Sequence, residues 1–556
     1  MARHLPIDFS RNISNMMTKN VFSARGFMAA SAFLLCAAQL PAATSWTVLG
    51  WTEYGVNPME RGYSVFAIYP PSVTLHAQVI DATGKLVKSG SGIQVTYEAL
   101  ADPSGSTNST SVGKTDFWSF ASLFGGTKTP DTGLTGNPMP GTTPRQMQFD
   151  GAMNRFTADA VPLTPYDDKW NLNYYPLFRI VARDSTGAVV GSSRVAVPVS
   201  NEVECRGCHA SGANDAAQPT IGWANDPDPN RDFKLNILAV HDVKNRRNPA
   251  MAGMLAAVNY SADGLLATVQ GGTPIRCDVC HASNRLGSAG QPGAVQLTTA
   301  MHGHHAPLTD PKTNDTLDNS TNRTACYNCH PGSATHGLRG AMGHSVDVGG
   351  SVQIQCQNCH GNLSALANPA RQGYQDLPNC QACHTTAAPY RQTSALDASG
   401  NLRSASDRTF ATSTGLFSAS IGHGGLQCSA CHGPTHGENP SLIANENLQS
   451  ADVQGASGVI GDCTACHKSG VSSTNGGPHG MHTVGTNWVS QHQSVARNST
   501  PCQTCHSGTY QGSVLSRATV SRSLSTEVGN VAMFPGFVVG CYTCHQGPGG
   551  ERQVGL

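Results

Sequence analysis

The sequence has little charge, few aromatic residues and no long apolar run beyond its first 43 residues. Only 13% of the 556 residues are charged and 6% are aromatic, which is low for the packed core of a large enzyme. After Ala43 no stretch reaches the roughly 20 consecutive apolar residues that a membrane-spanning helix needs. Neither a phosphate-binding P-loop nor a G-x-S-x-G nucleophile elbow occurs. We therefore predict no membrane span after Ala43, and no ATPase or hydrolase of these types.

Residues 1–43 predict a cleaved signal peptide. An apolar run over residues 27–40 is too short to span a membrane, and four basic residues precede it. Small residues follow at Ala42 and Ala43, where a signal peptidase would cut. We therefore predict cleavage after Ala43 and secretion across the inner membrane. The mature protein would lie in the periplasm, at the outer cell surface or outside the cell.

Eighteen of the nineteen cysteines lie in nine copies of the motif Cys-x-x-Cys-His. The cysteine pairs are Cys205 and Cys208, Cys277 and Cys280, Cys326 and Cys329, Cys356 and Cys359, Cys380 and Cys383, Cys428 and Cys431, Cys463 and Cys466, Cys502 and Cys505, and Cys541 and Cys544. The motifs, numbered 1 to 9 in chain order, end in His209, His281, His330, His360, His384, His432, His467, His506 and His545.

The spacing within each motif is typical of covalent haem attachment. Two cysteines at this spacing form thioethers to one haem, and the adjacent histidine becomes the proximal ligand of the iron. One copy alone would also fit a zinc site or a redox dithiol. Nine ordered copies favour nine covalently attached c-type haems. The remaining Cys36 lies in the predicted signal peptide, so we expect no disulfide in the mature chain.

Histidines outside the motifs are candidates for the second axial ligand of each iron. Without His4 in the signal peptide and His76 in the N-terminal part, eleven such histidines remain for nine irons. This supply favours two histidine ligands on every iron, which leaves no position open for a substrate. The predicted distal ligands are His241, His302, His305, His344, His423, His436, His479, His482 and His492. His302 and His305 would share one helical face, His304 would point away, and His336 is the spare.

Residues 44–200 contain no motif and predict a β domain. Apolar and polar residues alternate over 73–79 and 93–98, which is typical of half-buried strands. We predict an immunoglobulin-like β-sandwich, with a long irregular insertion over 102–150. His76 falls among the polar positions of its strand, so we expect a surface histidine. A haem ligand is the alternative for this residue.

Residues 201–556 carry all nine motifs and predict a loop-rich, mainly short-helix multihaem region. The motif spacing has no fixed period, which excludes a solenoid of repeated polypeptide units. Between motifs 1 and 2, Phe233, Ile237 and His241 recur at four-residue steps, which predicts a helix that presents His241 to an iron. Motifs 3, 4 and 5 are the most closely spaced, so we expect their haems to stack.

The charge of the mature protein would be negative. Residues 1–43 hold four basic and one acidic residue, so the mature chain has 31 basic and 34 acidic residues, a net charge of −3. The eighteen propionates of nine haems would bring this to about −21 in the ferrous protein, and the single positive charge of each ferric haem core would make it about −12 in the ferric protein. Such a charge argues against a nucleic-acid partner and favours other cytochromes, redox proteins or metal cations.

The motif region resembles the large secreted multihaem c-type cytochromes of Gram-negative bacteria that respire on extracellular metals or electrodes. The similar segments include CHGPTHGENP at 431–440, GGPHGMHTVGTNWVSQH at 476–492 and VVGCYTCHQGPGG at 538–550. The β domain resembles those that precede some of these proteins. The resemblance implies electron conduction through closely spaced haems. Multihaem nitrite and tetrathionate reductases use lysine at the active haem, whereas all nine motifs here end in histidine.

The main prediction is an electron carrier without chemistry of its own, with other cytochromes, redox proteins or extracellular metal oxides as partners. Two alternatives remain open at this point. A multihaem oxidoreductase for a small nitrogen or sulfur compound would need one iron with an open position and acid–base groups beside it. A subunit of a conductive cytochrome filament, or another homo-oligomer, would need contacts between copies of the chain.

Overall fold

The structure is a computed structural model. It describes residues 46–126, 128–141, 143–310, 313–319, 323–332, 334–335, 354–371, 378, 380–383, 395–399, 420–437, 440–467, 486–497, 499, 502–512, 516–518, 521–534 and 537–548. All of these residues belong to one compact unit that spans 44–556. The β region and the motif region can therefore be described together.

The described residues contain fourteen β-strands, most of them in the first 200 residues. They are β1 Thr47–Thr52, β2 Asn57–Pro58, β3 Phe66–Ala67, β4 Val73–Ile80, β5 Ile93–Leu100, β6 Arg145–Gln146, β7 Gln148–Asp150, β8 Arg155–Val161, β9 Leu177–Asp184, β10 Val189–Ala196, β11 Val199–Ser200, β12 Ile275–Arg276, β13 Arg522–Thr526 and β14 Gly529–Met533.

Short helices dominate the rest of the described chain. They are α1 Phe117–Phe120, α2 Arg206–His209, α3 Pro229–Asn245, α4 Met251–Ala257, α5 Leu265–Gln270, α6 Leu297–His305, α7 Cys356–His360, α8 Leu363–Leu366, α9 Cys428–His432, α10 Ala444–Gln454, α11 Thr486–Ala496 and α12 Gln503–His506. Turns of 3-10 helix span Ala121–Phe124, Asp215–Ala217, Cys277–Val279, Cys326–Asn328, Cys380–Ala382, His423–Gly425, Cys463–Ala465 and Cys541–Thr543. Among these described helices, none is long and apolar enough to cross a membrane.

Two antiparallel four-stranded sheets form the β region, in the orders β1-β4-β8-β7 and β10-β9-β5-β6. One apolar cluster contains side chains of both sheets, among them Leu75 of β4, Phe156 of β8 and Ile180 of β9. Apolar residues at alternate positions thus meet between the sheets, as their period predicts. The prediction of a β-rich N-terminal part is confirmed. The predicted insertion over 102–150 holds α1, one 3-10 turn and the short strands β6 and β7.

The first sheet is buried on both of its faces. On the face away from the second sheet, Leu49, Trp51 and Ile80 join a second apolar cluster with Leu426 and Ala430. The last two residues lie at motif 6, so the motif region covers this face. Every residue of β4 is buried for that reason, although its sequence alternates between apolar and polar.

The prediction that His76 is a surface histidine was wrong. Its side chain is 2% exposed, and its ring lies 5.8 Å from that of Trp51. His76 Nδ1 lies 3.0 Å from the hydroxyl of Thr157 on the neighbouring strand. The alternation correctly placed His76 opposite the apolar core. It does not show that the other face is covered by the motif region rather than by water.

The buried position of His76 predicts a loss of stability in acid. Burial lowers the pKa of His76 well below its ordinary value, and the nearby Arg155 guanidinium lowers it further. The unfolded chain takes up this proton near pH 6.5, about where free histidine titrates, so stability present above that pH is lost as the pH falls. Between about pH 7.5 and about pH 5.5, the wild type should lose about 1 kcal/mol more stability than His76→Leu. Urea unfolding followed by circular dichroism at both pH values measures this difference, and equal losses would contradict the assignment.

The predicted helix between motifs 1 and 2 is confirmed as α3. Its N-cap Asp228 accepts a hydrogen bond from Asn230 N–H, and Pro229 occupies the first helical position, as is common at helix starts. Phe233 and Leu238 are buried on its inner face. This face lies against the β region, and the helix carries His241 near its C-terminal end.

Candidate functional site

Each described Cys-x-x-Cys-His motif forms a single helical turn. In motifs 1, 2, 3, 7 and 9 the histidine N–H donates to the carbonyl of the first cysteine, at distances of 2.8–3.1 Å. Residues three and four apart on a helical turn lie on one face, so the second cysteine and the histidine lie beside the first cysteine. The seventeen cysteines described from Cys205 to Cys544 form no disulfide. Each fully described turn therefore presents two cysteine side chains and one imidazole to the same group.

Six motif histidines lie opposite a histidine from another part of the chain. The pairs and their ring-centroid distances are His209 with His305 at 6.3 Å, His281 with His241 at 6.4 Å, His330 with His302 at 6.3 Å, His360 with His436 at 6.1 Å, His467 with His423 at 6.1 Å, and His545 with His492 at 6.0 Å. All six partners belong to the distal set predicted from the sequence.

The separation of these rings fits one iron between two imidazoles. With metal–nitrogen bonds of about 2 Å and a ring nitrogen about 1.2 Å from its centroid, two imidazoles on one metal place their centroids roughly 6 Å apart. Ordinary aromatic pairs span centroid distances of about 4.5–7 Å, so the assignment depends on the narrow range shared by all six pairs and not on any single distance. The ring-centroid distances stay within 6.0–6.4 Å whether the two rings are nearly parallel or nearly perpendicular. The donor set and its spacing therefore fit c-type haem.

Hydrogen bonds through Nδ1 orient six of these twelve imidazoles and also that of His506, which leaves Nε2 to face a metal. The bonds to backbone carbonyls are His281 to Val295 (2.9 Å), His302 to Thr298 (2.9 Å), His305 to Met301 (2.6 Å), His436 to Tyr54 (2.9 Å), His492 to Val489 (3.0 Å), His506 to Val539 (2.8 Å) and His545 to Gly547 (2.8 Å). A carbonyl only accepts, so Nδ1 carries the proton and Nε2 is free to bind iron. Such bonds fix the ring and raise its basicity as a ligand.

The candidate distal ligand of motif 2 has a charged neighbour instead. His241 Nδ1 lies 3.7 Å from the carboxylate of Asp242. That carboxylate accepts hydrogen bonds from the N–H groups of Leu265 and Leu266, at 3.0 and 2.9 Å. The first turn of α5 therefore holds Asp242 beside His241.

One helix supplies the candidate ligands of two motifs. His302 and His305 of α6 lie opposite the histidines of motifs 3 and 1, respectively. Their shared face was predicted from the sequence. His304 lies between them in sequence but contacts Lys244 Nζ at 2.5 Å and packs against His305. The structure thus separates the two candidate ligands from the non-ligand on the same helix.

Burial favours the neutral, iron-binding form of several candidate ligands. It lowers the pKa of His360 to about 3 and those of its partner His436 and of His330 to about 4. Burial likewise lowers the pKa of His209 to about 4, and electrostatic interactions with His305 and Lys244 act in the same direction. A neutral imidazole with a free Nε2 is the ligating state.

Cysteines of different motifs lie next to one another. The thiols of Cys326 and Cys356 are hydrogen-bonded, and so are those of Cys380 and Cys428. Electrostatic interactions join further thiols, namely Cys205 with Cys329, Cys359 with Cys383, Cys431 with Cys466, and Cys502 with Cys541. Motifs 1, 3, 4, 5, 6 and 7 thus form one continuous series, and motifs 8 and 9 form a neighbouring pair. The cysteines of motifs 3, 4 and 5 thus lie close together, and the stacking of their haems stays a prediction.

Part of the predicted site lies outside the described residues. These residues are His384, His344, His479, His482 and the spare His336, together with the side chain of Cys505. The ligand pairs of motifs 5, 6 and 8 therefore remain predictions. Among the described residues, no cluster of three or more His, Cys, Asp or Glu side chains is arranged to hold a metal ion.

The β region supplies groups to the motif region that sequence reasoning missed. Lys234 of α3 donates to the carboxylate of Glu60 at 2.6 Å, and both side chains are almost fully buried. Burial, with the Glu60 carboxylate second, raises the pKa of the Cys277 thiol to about 12. Glu202 accepts from the N–H of Thr335, which follows motif 3, at 3.0 Å. These single residues belong to no motif, so no sequence signal marks them.

These features define the class of protein. Helical Cys-x-x-Cys-His turns with paired imidazoles at iron-spanning distance are those of a multihaem c-type cytochrome, which binds haem and transfers electrons. Residues 351–546 match the model of a family described as outer membrane cytochrome MtrC/MtrF-like, domains II/IV. This part contains motifs 4 to 9. The predicted resemblance to multihaem cytochromes of the metal-reducing type is confirmed by the match. No curated protein and no solved structure matches the chain.

Proposed function

We propose that this chain is a secreted c-type cytochrome that binds nine haems and carries electrons in extracellular or outer-membrane respiration. The observation that carries the proposal is the set of six histidine pairs at 6.0–6.4 Å. The match of residues 351–546 to outer membrane cytochromes supports the location. The nine motifs support the haem count.

The proposal assigns roles to the parts of the chain. Residues 1–43 are a cleaved signal peptide, residues 44–200 an immunoglobulin-like sandwich, and residues 201–556 a nonahaem region. Two facing sheets with one apolar core support the sandwich. The eighteen motif cysteines attach the haems, the nine motif histidines are proximal ligands, and the nine predicted distal histidines complete the iron coordination.

The way in which the paired histidines would hold a haem iron supports electron transfer rather than catalysis. Haem, when bound, supplies an iron that takes up and releases one electron. At six motifs two imidazoles face each other, so the chain would fill both remaining positions of a haem iron bound there and leave none for a substrate. The carbonyls that accept from Nδ1 keep the rings in place in both oxidation states. The adjacent cysteines of motifs 1 and 3 to 7 would bring the haems attached to them close together, which favours transfer from one haem to the next.

The partners that this site suits are other cytochromes or redox proteins and extracellular metal oxides. The mature chain carries a net charge of −3 before the haem propionates are added. A negative surface attracts metal cations and basic proteins over several ångströms and repels nucleic acid. We propose no catalytic residue.

Spectroscopy of the secreted holo protein tests the proposal. Mass spectrometry should find nine covalent haems on a chain that begins at Thr44, and the ferric protein should be low-spin. Replacing His305 with alanine should convert one haem to high-spin, because its iron loses a ligand. His304→Ala is the matched control on the same helix and should leave the spectrum unchanged. A high-spin signal in the wild type, or no change in His305→Ala, would refute the ligand assignment.

A further inference from the structure

Two turns of the β region have the same structure in different surroundings. Residues 81–84 follow β4, residues 184–187 join β9 to β10, and both have the sequence Asp-x-Thr-Gly. In both turns the aspartate N–H donates to the carbonyl four residues later, at 2.9 and 3.0 Å, and its carboxylate accepts from the threonine N–H, at 2.8 and 2.9 Å. Gly84 and Gly187 have φ angles of +80° and +85°. Each turn therefore needs its glycine for the same backbone reason.

Only the first of these turns touches the motif region. A Cβ atom at Gly84 would lie 2.6 Å from Nδ1 and 3.1 Å from Cε1 of His467, the histidine of motif 7. A Cβ atom at Gly187 would meet no atom within 4 Å. The backbone of the first turn thus lies directly against the edge of the His467 imidazole, and glycine is the residue that allows this approach.

The same sheet also holds the segments on both sides of the motif 7 histidine pair. On the proximal side, the Thr47 hydroxyl donates to the carbonyl of Ala465 at 2.6 Å. On the distal side, the Gln78 amide accepts from Gln427 N–H at 2.9 Å and donates to the Gly425 carbonyl at 3.3 Å. Gly425 belongs to the 3-10 turn that begins at His423. β1 and β4 therefore fix the two chain segments that carry His423 and His467.

Apolar packing completes this contact. Leu86, two residues beyond Gly84, lies in the same cluster as Leu426 and Cys466. The cluster joins the segment that follows the turn to both sides of the histidine pair, whose rings are 6.1 Å apart. A shift of the turn would therefore be transmitted to the spacing of the pair.

We propose that residues 81–85 of the β region form a positioning element for the proximal ligand of motif 7. The proposal rests on the function proposed above. An axial imidazole can rotate about its iron–nitrogen bond, and groups against its other edge set that rotation. The turn occupies the edge of His467 at Nδ1 and Cε1. The β region thus takes part in one haem site instead of serving only as an attached module.

Matched glycine variants test the proposal in the full holo protein. Gly84→Ala and Gly187→Ala introduce the same backbone strain, because both glycines have positive φ. Only Gly84→Ala also pushes a methyl group into His467. We expect Gly84→Ala to lose or shift one ninth of the low-spin ferric intensity in electron paramagnetic resonance, and Gly187→Ala to match the wild type. Identical spectra for the two variants would overturn the proposal.

A second matched pair covers the case in which Gly84→Ala does not fold. Asp81→Ala and Asp184→Ala remove the same turn-forming hydrogen bonds without adding an atom. Asp81→Ala should shift the signal of one haem, and Asp184→Ala should shift none; equal spectra would again overturn the proposal. The wild-type spectrum separates this outcome from failure of the proposed function. If the wild type has nine low-spin haems and neither pair differs, only the positioning role is wrong.

Discussion

Replacing Lys234 with methionine is expected to destabilise the protein by about 3–5 kcal/mol, since a buried ion pair loses one partner. The Lys234 ammonium donates to Glu60 at 2.6 Å and to the carbonyls of Gly62 and Phe66 at 2.8 Å each. The side chains of Lys234 and Glu60 are 2% and 4% exposed. Without the ammonium, the Glu60 carboxylate remains buried with its charge uncompensated. Chemical unfolding of the holo protein measures the loss.

Two further variants show whether burial is the cause. The double variant Glu60→Gln, Lys234→Met removes both charges, so it should recover most of the stability that the single variant loses. Arg194 and Asp452 also join the β region to the motif region, at 2.7 Å, but are 38% and 41% exposed. Breaking that exposed pair with Arg194→Met should cost less than about 1 kcal/mol. A Lys234→Met loss no larger than the Arg194→Met loss would contradict the prediction.

The strands could be predicted from the sequence, but not what covers them. Alternation over 73–79 correctly assigned β4 and the face on which Leu75 lies. The polar residues His76 and Gln78 suggested solvent on the other face. In the structure His76 is buried beside Trp51, and Gln78 bonds to Gly425 and Gln427 of the motif region across the interface. A period-2 pattern compares neighbouring positions on one strand, so it carries no information about a distant segment that packs on the sheet.

The candidate ligands could be predicted as a set, but their partners could not. Abundant histidines beside nine motifs indicated two imidazoles for each iron. The pairing depends on tertiary structure, since neighbours on α6 face two different motifs and His436 faces His360 of motif 4. Tyr54 contributes its backbone carbonyl to His436, which any residue could do, so the sequence gives no signal for this role. Gly84 contributes the close approach of its backbone to His467, and its only sequence signal is that it is a turn glycine.

Breaking α6 is expected to change two haems at once. Proline at Ala300 removes the hydrogen bond from its N–H to the Gln296 carbonyl, which is 2.9 Å long, and clashes with that carbonyl. The cost of about 3 kcal/mol or more falls on a nine-residue helix, so its last turn would not keep its place. That turn carries both His302 and His305. We therefore expect two of the nine haems to become high-spin in the ferric Ala300→Pro protein.

The controls for Ala300→Pro separate loss of the ligands from general loss of structure. Ala300→Ser keeps the backbone bond and should retain the wild-type spectrum. Ala256→Pro breaks α4, a helix of seven residues without histidine, and should leave all the haems low-spin although it also lowers stability. The high-spin intensity of Ala300→Pro, integrated against the total haem content, decides the outcome. An intensity of one haem would mean that α6 holds a single ligand. An intensity of zero would mean that neither His302 nor His305 is an iron ligand.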